Sequence, residues 1–161
     1  MNTDKTFTKV INNTGTANGM AFSKNEKKLF FCDSKTSDVS VFDYDKTTGE
    51  ISNRKIILQT LRSESGSPDG LCVDSDDNIW VGQWDGSSIA QIDQNGCELQ
   101  RIRFPTRKIT TLCFGGEDLT NIYINSAGGD DIQQNGQLAG SLFQLRLGIK
   151  GKYEYRSRFD S

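Results

Sequence analysis

Gly66-Ser67-Pro68-Asp69-Gly70-Leu71-Cys72-Val73-Asp74, followed by Asn78-Ile79-Trp80-Val81-Gly82-Gln83-Trp84, is the stretch from which the fold is read. It is a tight Gly/Pro turn, one acidic residue, a short apolar strand, a polar turn and a second strand carrying two tryptophans. Pro68 pre-sets its own φ and Gly70 can take backbone angles that other residues avoid, with Asp69 between them. An isolated Pro-Asp-Gly is ordinarily just a turn. A carboxylate fixed at the mouth of a strand is also well placed to hold a metal ion or a water.

Recurrence gives this turn its weight. Asn18-Gly19-Met20-Ala21-Phe22-Ser23, Leu29-Phe30-Phe31-Cys32-Asp33-Ser34 and Val39-Ser40-Val41-Phe42-Asp43 form a first group of strand-like runs. Asp69-Gly70-Leu71-Cys72-Val73-Asp74, Ile79–Trp84 and Ile89-Ala90-Gln91-Ile92-Asp93 form a second. Thr111-Leu112-Cys113-Phe114-Gly115, Ile122-Tyr123-Ile124-Asn125-Ser126 and Leu142-Phe143-Gln144-Leu145 form a third. Asn18 lies 51 residues before Asp69, and Gly70 lies 41 before Thr111. Further strands are expected at 54–58, 99–104 and 153–157. Short strands with turn signals every eight to twelve residues, in a repeat of about 40 to 50, indicate an all-β chain built as propeller blades. The expected blades are 18–58, 69–104 and 110–158, each four-stranded, in one partial domain. Three blades do not close a ring, since propellers typically use four to eight. An open arc implies a fragment, one half of a split or homodimeric propeller, or a partly opened relative; a compact sandwich is the alternative, disfavoured by the regularity of the repeat.

Composition narrows the chemistry. The 161 residues suffice for one domain that buries about 70% of its unfolded surface. Net charge is -2, with acidic and basic residues well mixed, so no basic face is expected for nucleic acid. No apolar run is long enough to cross a membrane, and no apolar segment follows the first residues as in a signal peptide. None of Cys32, Cys72, Cys97 and Cys113 forms a C-x-x-C pair. All four are expected to be reduced, with Cys32, Cys72 and Cys113 acting as small hydrophobes in a cytoplasmic protein. Histidine is absent. That removes Ser-His-Asp and Cys-His catalysis and every His-ligated zinc site. Hydrolysis would have to use carboxylates, a metal held by oxygen ligands, or a lysine-based scheme.

These motifs, in this order and spacing, resemble the C-terminal half of the regucalcin/gluconolactonase family, also called the senescence-marker-protein and luciferin-regenerating-enzyme family. Phe42-Asp43-Tyr44-Asp45, Gly49 through Arg54, Phe114 through Leu119 and Gly140-Ser141-Leu142-Phe143 extend the likeness over nearly the whole chain. The resemblance implies a six-bladed propeller with one divalent cation, Ca²⁺ or Zn²⁺, in its central channel. Mg²⁺ and Mn²⁺ also suit oxygen donors. It implies that Asn18 and Asp69 are metal ligands and that Asp69 is also the catalytic general base in hydrolysis of a sugar lactone. The family's Pro before Asn-Gly is Ala17 here. Its N-terminal half, which carries a Glu ligand, a second Asn ligand and a substrate-binding Arg, has no counterpart. Two readings follow: a metal-dependent lactonase completed by a homodimer partner or a missing N-terminal half, or a truncated, non-catalytic calcium-binding and interaction module. The remaining motifs read as structural. Asp33, Asp43, Asp45 and Asp74 are expected at strand ends or turns, Asp33 with a supporting role as an alternative. Trp80 and Trp84 are expected in packing, Trp84 alternatively at a substrate mouth. Asp76-Asp77-Asn78 and Gly115-Gly116 are read as turns, and 128–131 as a loop.

Overall fold

The computed structural model describes residues 6–129 and 131–155. They form three antiparallel sheets. The first contains β1 (Ala17–Phe22), β2 (Lys28–Asp33), β3 (Asp38–Tyr44) and β4 (Ile51–Gln59) in sequence order. A four-residue helix, α1 (Arg62–Ser65), leads into the second: β5 (Ser67–Val73), β6 (Ile79–Trp84), β7 (Ser88–Ile92) and β8 (Glu98–Arg103). The third contains β9 (Ile109–Gly115), β10 (Asn121–Ser126) and β11 (Leu142–Arg146), with α2 (Ile132–Asn135) between the last two. The chain is all-β, and these stacked meanders are consistent with a propeller-like fold.

The sheets stack because their strands are apolar on both faces. Successive side chains of a strand point to opposite sides. Thus Phe30 and Cys32 of β2 meet Leu71, Val73, Ile79 and Val81 in the core between the first two sheets. Trp80 points the other way, into a second core with Cys72, Ile89, Leu112, Ile122 and Ile124 between the second and third sheets. Leu29, Phe31 and Phe42, on the outer face of the first sheet, are covered by Ile11, Phe22, Tyr44 and Ile51.

The third sheet holds three strands where four were expected. Tyr153–Tyr155 form no strand, and the rest of the expected fourth strand lies outside the described residues. The chain after β11 instead crosses the hairpin ends of all three sheets. Ser75 donates its N–H to the Lys150 carbonyl at 2.8 Å, and Gly151 donates to the Leu119 carbonyl at 2.8 Å. The Tyr155 hydroxyl reaches the carbonyls of Ser23 and Lys24, both at 3.1 Å. Asp74 anchors this end. Fully buried, it accepts from the backbone N–H groups of Asp76 and Asn78, from the Trp80 indole at 3.0 Å and from the Gln91 amide at 2.8 Å.

Cys32 and Cys72 are buried free thiols, as expected. Cys113 is not: it lies on the outward face of β9 and is exposed, because Leu112 and Phe114 take the inward positions. Among the described residues, no helix is long and apolar enough to cross a membrane.

Candidate active site

The inner strands β1, β5 and β9 carry the same irregularity at the same place. In β1 the register passes from Ala17↔Asp33 to Met20↔Phe31, three residues against two, so Asn18-Gly19 occupy a bulge. In β5 it passes from Pro68↔Gln83 to Leu71↔Val81, which places Asp69-Gly70 in the equivalent bulge. In β9 the step from Ile109↔Ser126 to Leu112↔Ile124 puts Thr110-Thr111 there. A bulge turns a side chain out of the strand alternation, a device common beside functional sites. The glycines make the bulges stack. A Cβ on Gly19 would stand 2.6 Å from the Asp69 carbonyl, and one on Gly70 would stand 2.8 Å from Thr111 Cα. Only glycine allows successive inner strands to approach this closely, and the approach brings Asn18 to Asp69.

Polar contacts lock the pair. Asn18 Nδ2 donates to Ser34 Oγ at 3.1 Å, and Ser34 Oγ donates to the Pro68 carbonyl at 2.7 Å, so one hydroxyl ties the first bulge to the residue before Asp69. Asp33, only 2% exposed, accepts from the backbone N–H groups of Gly15 (2.7 Å), Thr16 (2.8 Å) and Lys35 (3.0 Å). Burial acts to raise its pKa, but those donors together outweigh burial and hold it below the ordinary carboxylate range. Asp33 therefore acts as the brace of the loop that delivers Asn18. Asp69 is the reverse case. Burial pushes its carboxyl above the usual range, and a hydrogen bond from Asn18 offsets this in part. It forms no ion pair with any described residue.

Both residues line a cavity of about 270 Å³ with Ser34 and Trp84. Trp84 thus lines the mouth, with the Lys108 ammonium 5.1 Å from its ring centre, whereas Trp80 is wholly buried in packing. Two further lining residues, Lys35 and Arg62, were not singled out from sequence. Lys35 had one available signal, its place directly after the quoted Cys32-Asp33-Ser34; Arg62 had none, since α1 carries no motif. Thr110, in the third bulge, was missed because Thr-Thr has no turn signature. Larger clefts of about 500 Å³ flank Asp43 and Tyr44 at the edge of the first sheet, away from Asn18 and Asp69.

The donor set can be tested against a divalent cation. A half-buried carboxylate with no cationic partner among the described residues, beside an Asn side chain whose amide also carries an oxygen acceptor, fits a hard oxygen-seeking ion. The set is partial: among the described residues no three His, Cys, Asp or Glu side chains converge to hold a metal.

Comparison with known proteins agrees with this architecture. A family model described as the SMP-30/Gluconolactonase/LRE-like region matches residues 1–128. Pentonolactonase XacC of Haloferax volcanii is 35% identical over 164 residues, covering 98% of this chain and 56% of the relative. Regucalcin of Gallus gallus is 35% identical over 153 residues, covering 92% and 51%. The solved structure of regucalcin, described as a calcium-binding protein, from Agrobacterium tumefaciens matches with a TM-score of 0.86 at 25% identity, over 94% of this chain and 52% of that one. A luciferin-regenerating enzyme matches with a TM-score of 0.79 at 31% identity, over 87% and 48%. The chain belongs to the SMP-30/gluconolactonase/LRE-like family. It spans about half the length of the curated relatives it matches.

Proposed function

We propose that this chain contributes one half of the active site of a metal-assisted hydrolase of sugar lactones, with Asn18 and Asp69 as cation ligands and Asp69 as general base. The observation that carries the reading is the pair of equivalent bulges that present Asn18 and Asp69 to one cavity. The name pentonolactonase supports a sugar lactone as substrate, and the solved regucalcin described as a calcium-binding protein supports Ca²⁺, with Zn²⁺ as the alternative cation. On this reading the units 18–58, 69–104 and 110–158 are three blades of a six-bladed ring. A second copy or an N-terminal half-propeller provides the remaining ligands.

A bound divalent cation supplies Lewis acidity toward the lactone carbonyl and the attacking water. The chain's own residues do the rest. Asp69 accepts the proton of the attacking water and returns it to the ring oxygen as the C–O bond breaks. Its raised pKa brings it nearer the range in which both transfers are efficient. Asn18 restrains the carboxylate, and Ser34 keeps both bulges in register.

The test is proton release from gluconolactone by the purified chain with Ca²⁺ or Zn²⁺, alongside its mass by light scattering. Hydrolysis above the spontaneous rate that Asp69→Ala abolishes supports the reading. Activity retained in Asp69→Ala refutes the mechanism. A monomer that binds Ca²⁺ and hydrolyses no lactone favours the calcium-binding module instead.

A further inference from the structure

The cavity that holds Asn18 and Asp69 is charged in a way the lactonase chemistry does not require. Lys35 follows directly from β2 and Arg62 opens α1, and both line it. Arg54, Arg101, Arg107 and Arg146 each hold a carboxylate, but neither Arg62 nor Lys35 forms an ion pair with any described residue. Asp69 is the sole acid in the lining, so two cations face one carboxylate in a chain of net charge -2. The Lys108 ammonium over Trp84 adds a third positive charge at the rim. The cleft thus combines Asn18 and Asp69 with two cations that have no ion-pair partner among the described residues.

A neutral sugar leaves those cations unanswered. An anionic group forms charge-assisted hydrogen bonds with them, and the planar guanidinium of Arg62 matches carboxylate and phosphate geometry bidentately. We infer that the site takes sugar lactones that bear a second, anionic group, a carboxylate or a phosphate, held by Lys35 and Arg62 while the lactone ring faces Asn18 and Asp69. The inference rests on the lactonase reading and adds the substrate's charge to it.

The test is a binding measurement on the full chain with Ca²⁺ present, read from Trp84 fluorescence, Trp80 being wholly buried. The probes are D-gluconate, D-glucarate and 6-phospho-D-gluconate. At least one of the two more highly charged probes is expected to bind about tenfold or more tightly than gluconate, on the order of one charge-assisted contact. The tighter of the two identifies the anion. Lys35→Gln with Arg62→Gln is expected to shrink the preference below about threefold, at the scale of the lost contact. Lys35→Arg with Arg62→Lys is expected to preserve most of it. Both positions are exposed and unpaired, so the fold is not at stake. Gluconate binding without preference for either probe, or a preference that survives the double Gln variant, overturns this inference alone. Absence of binding by every probe overturns it together with the lactonase reading.

Discussion

Replacing Asp74 should be among the most damaging single changes in the chain. Its carboxylate is 0% exposed and serves four residues. Oδ1 accepts from the N–H groups of Asp76 at 3.0 Å and Asn78 at 2.9 Å, which shapes the β5–β6 hairpin. Oδ2 accepts from Asn78 Nδ2, Trp80 Nε1 and Gln91 Nε2. In Asp74→Ala the indole and the Gln91 amide become buried donors without acceptors. Each such donor costs about 1–3 kcal/mol, so the expected loss is about 4 kcal/mol from these two. Asp74→Asn keeps the shape but turns one acceptor into a donor that faces other donors, and should lose at least half as much. Urea unfolding followed by tryptophan fluorescence measures this directly. With a slope of roughly 2 kcal/mol per M, the midpoint of Asp74→Ala should fall by about 2 M. A loss below about 1 kcal/mol, or a neutral Asp74→Asn, would refute the claim that this carboxylate organises the hairpin end.

Three other outcomes follow from the same structure. Gly70→Ala drives a methyl into Thr111, an overpacking worth about 1–3 kcal/mol that lowers Tm by roughly 2–12 °C; calorimetry should show partial rescue by Thr111→Ala. Asp33 binds its proton less readily folded than unfolded, so its stabilisation is complete above the unfolded carboxylate value near pH 4 and is lost as pH falls through the lower native value. Acid titration of Asp33→Asn should therefore show a smaller loss below about pH 4 than the parent chain shows. Gln83 is fully buried with both amide atoms unpartnered, so Gln83→Met should stabilise by about 1 kcal/mol in urea melts, and a comparable loss would contradict this.

Much of the fold was legible along the chain. Short apolar runs punctuated by Gly, Asn, Asp and Ser turns are local signals, and eleven strands among the described residues fall close to where such runs predict them. The family resemblance was legible too, because Asn18-Gly19 and Pro68-Asp69-Gly70 keep their order and spacing. The described part of the strand expected at 153–157, Tyr153–Tyr155, is not a strand, because the segment from Lys150 to Tyr155 finds its partners in the hairpin ends of distant sheets. Nothing local announces such contacts. The cavity was legible in its two motif residues and, as the alternative to packing, in Trp84, but not in Lys35 or Arg62.

The amino-acid sequence by itself determined that the chain is a repeated β-structure without histidine chemistry, with Asn18 and Asp69 at matching positions. Periodicity, turn residues and composition are properties of neighbours in the chain, and they survive without coordinates. The tertiary structure alone decided that both residues sit in equivalent bulges, that Gly19 and Gly70 let those bulges touch, and that Asp33 and Ser34 brace them. It also decided that Lys35, Arg62 and Trp84 share their cavity. Burial, register and the meeting of charges from separate sheets arise only when strands far apart in the chain pack together.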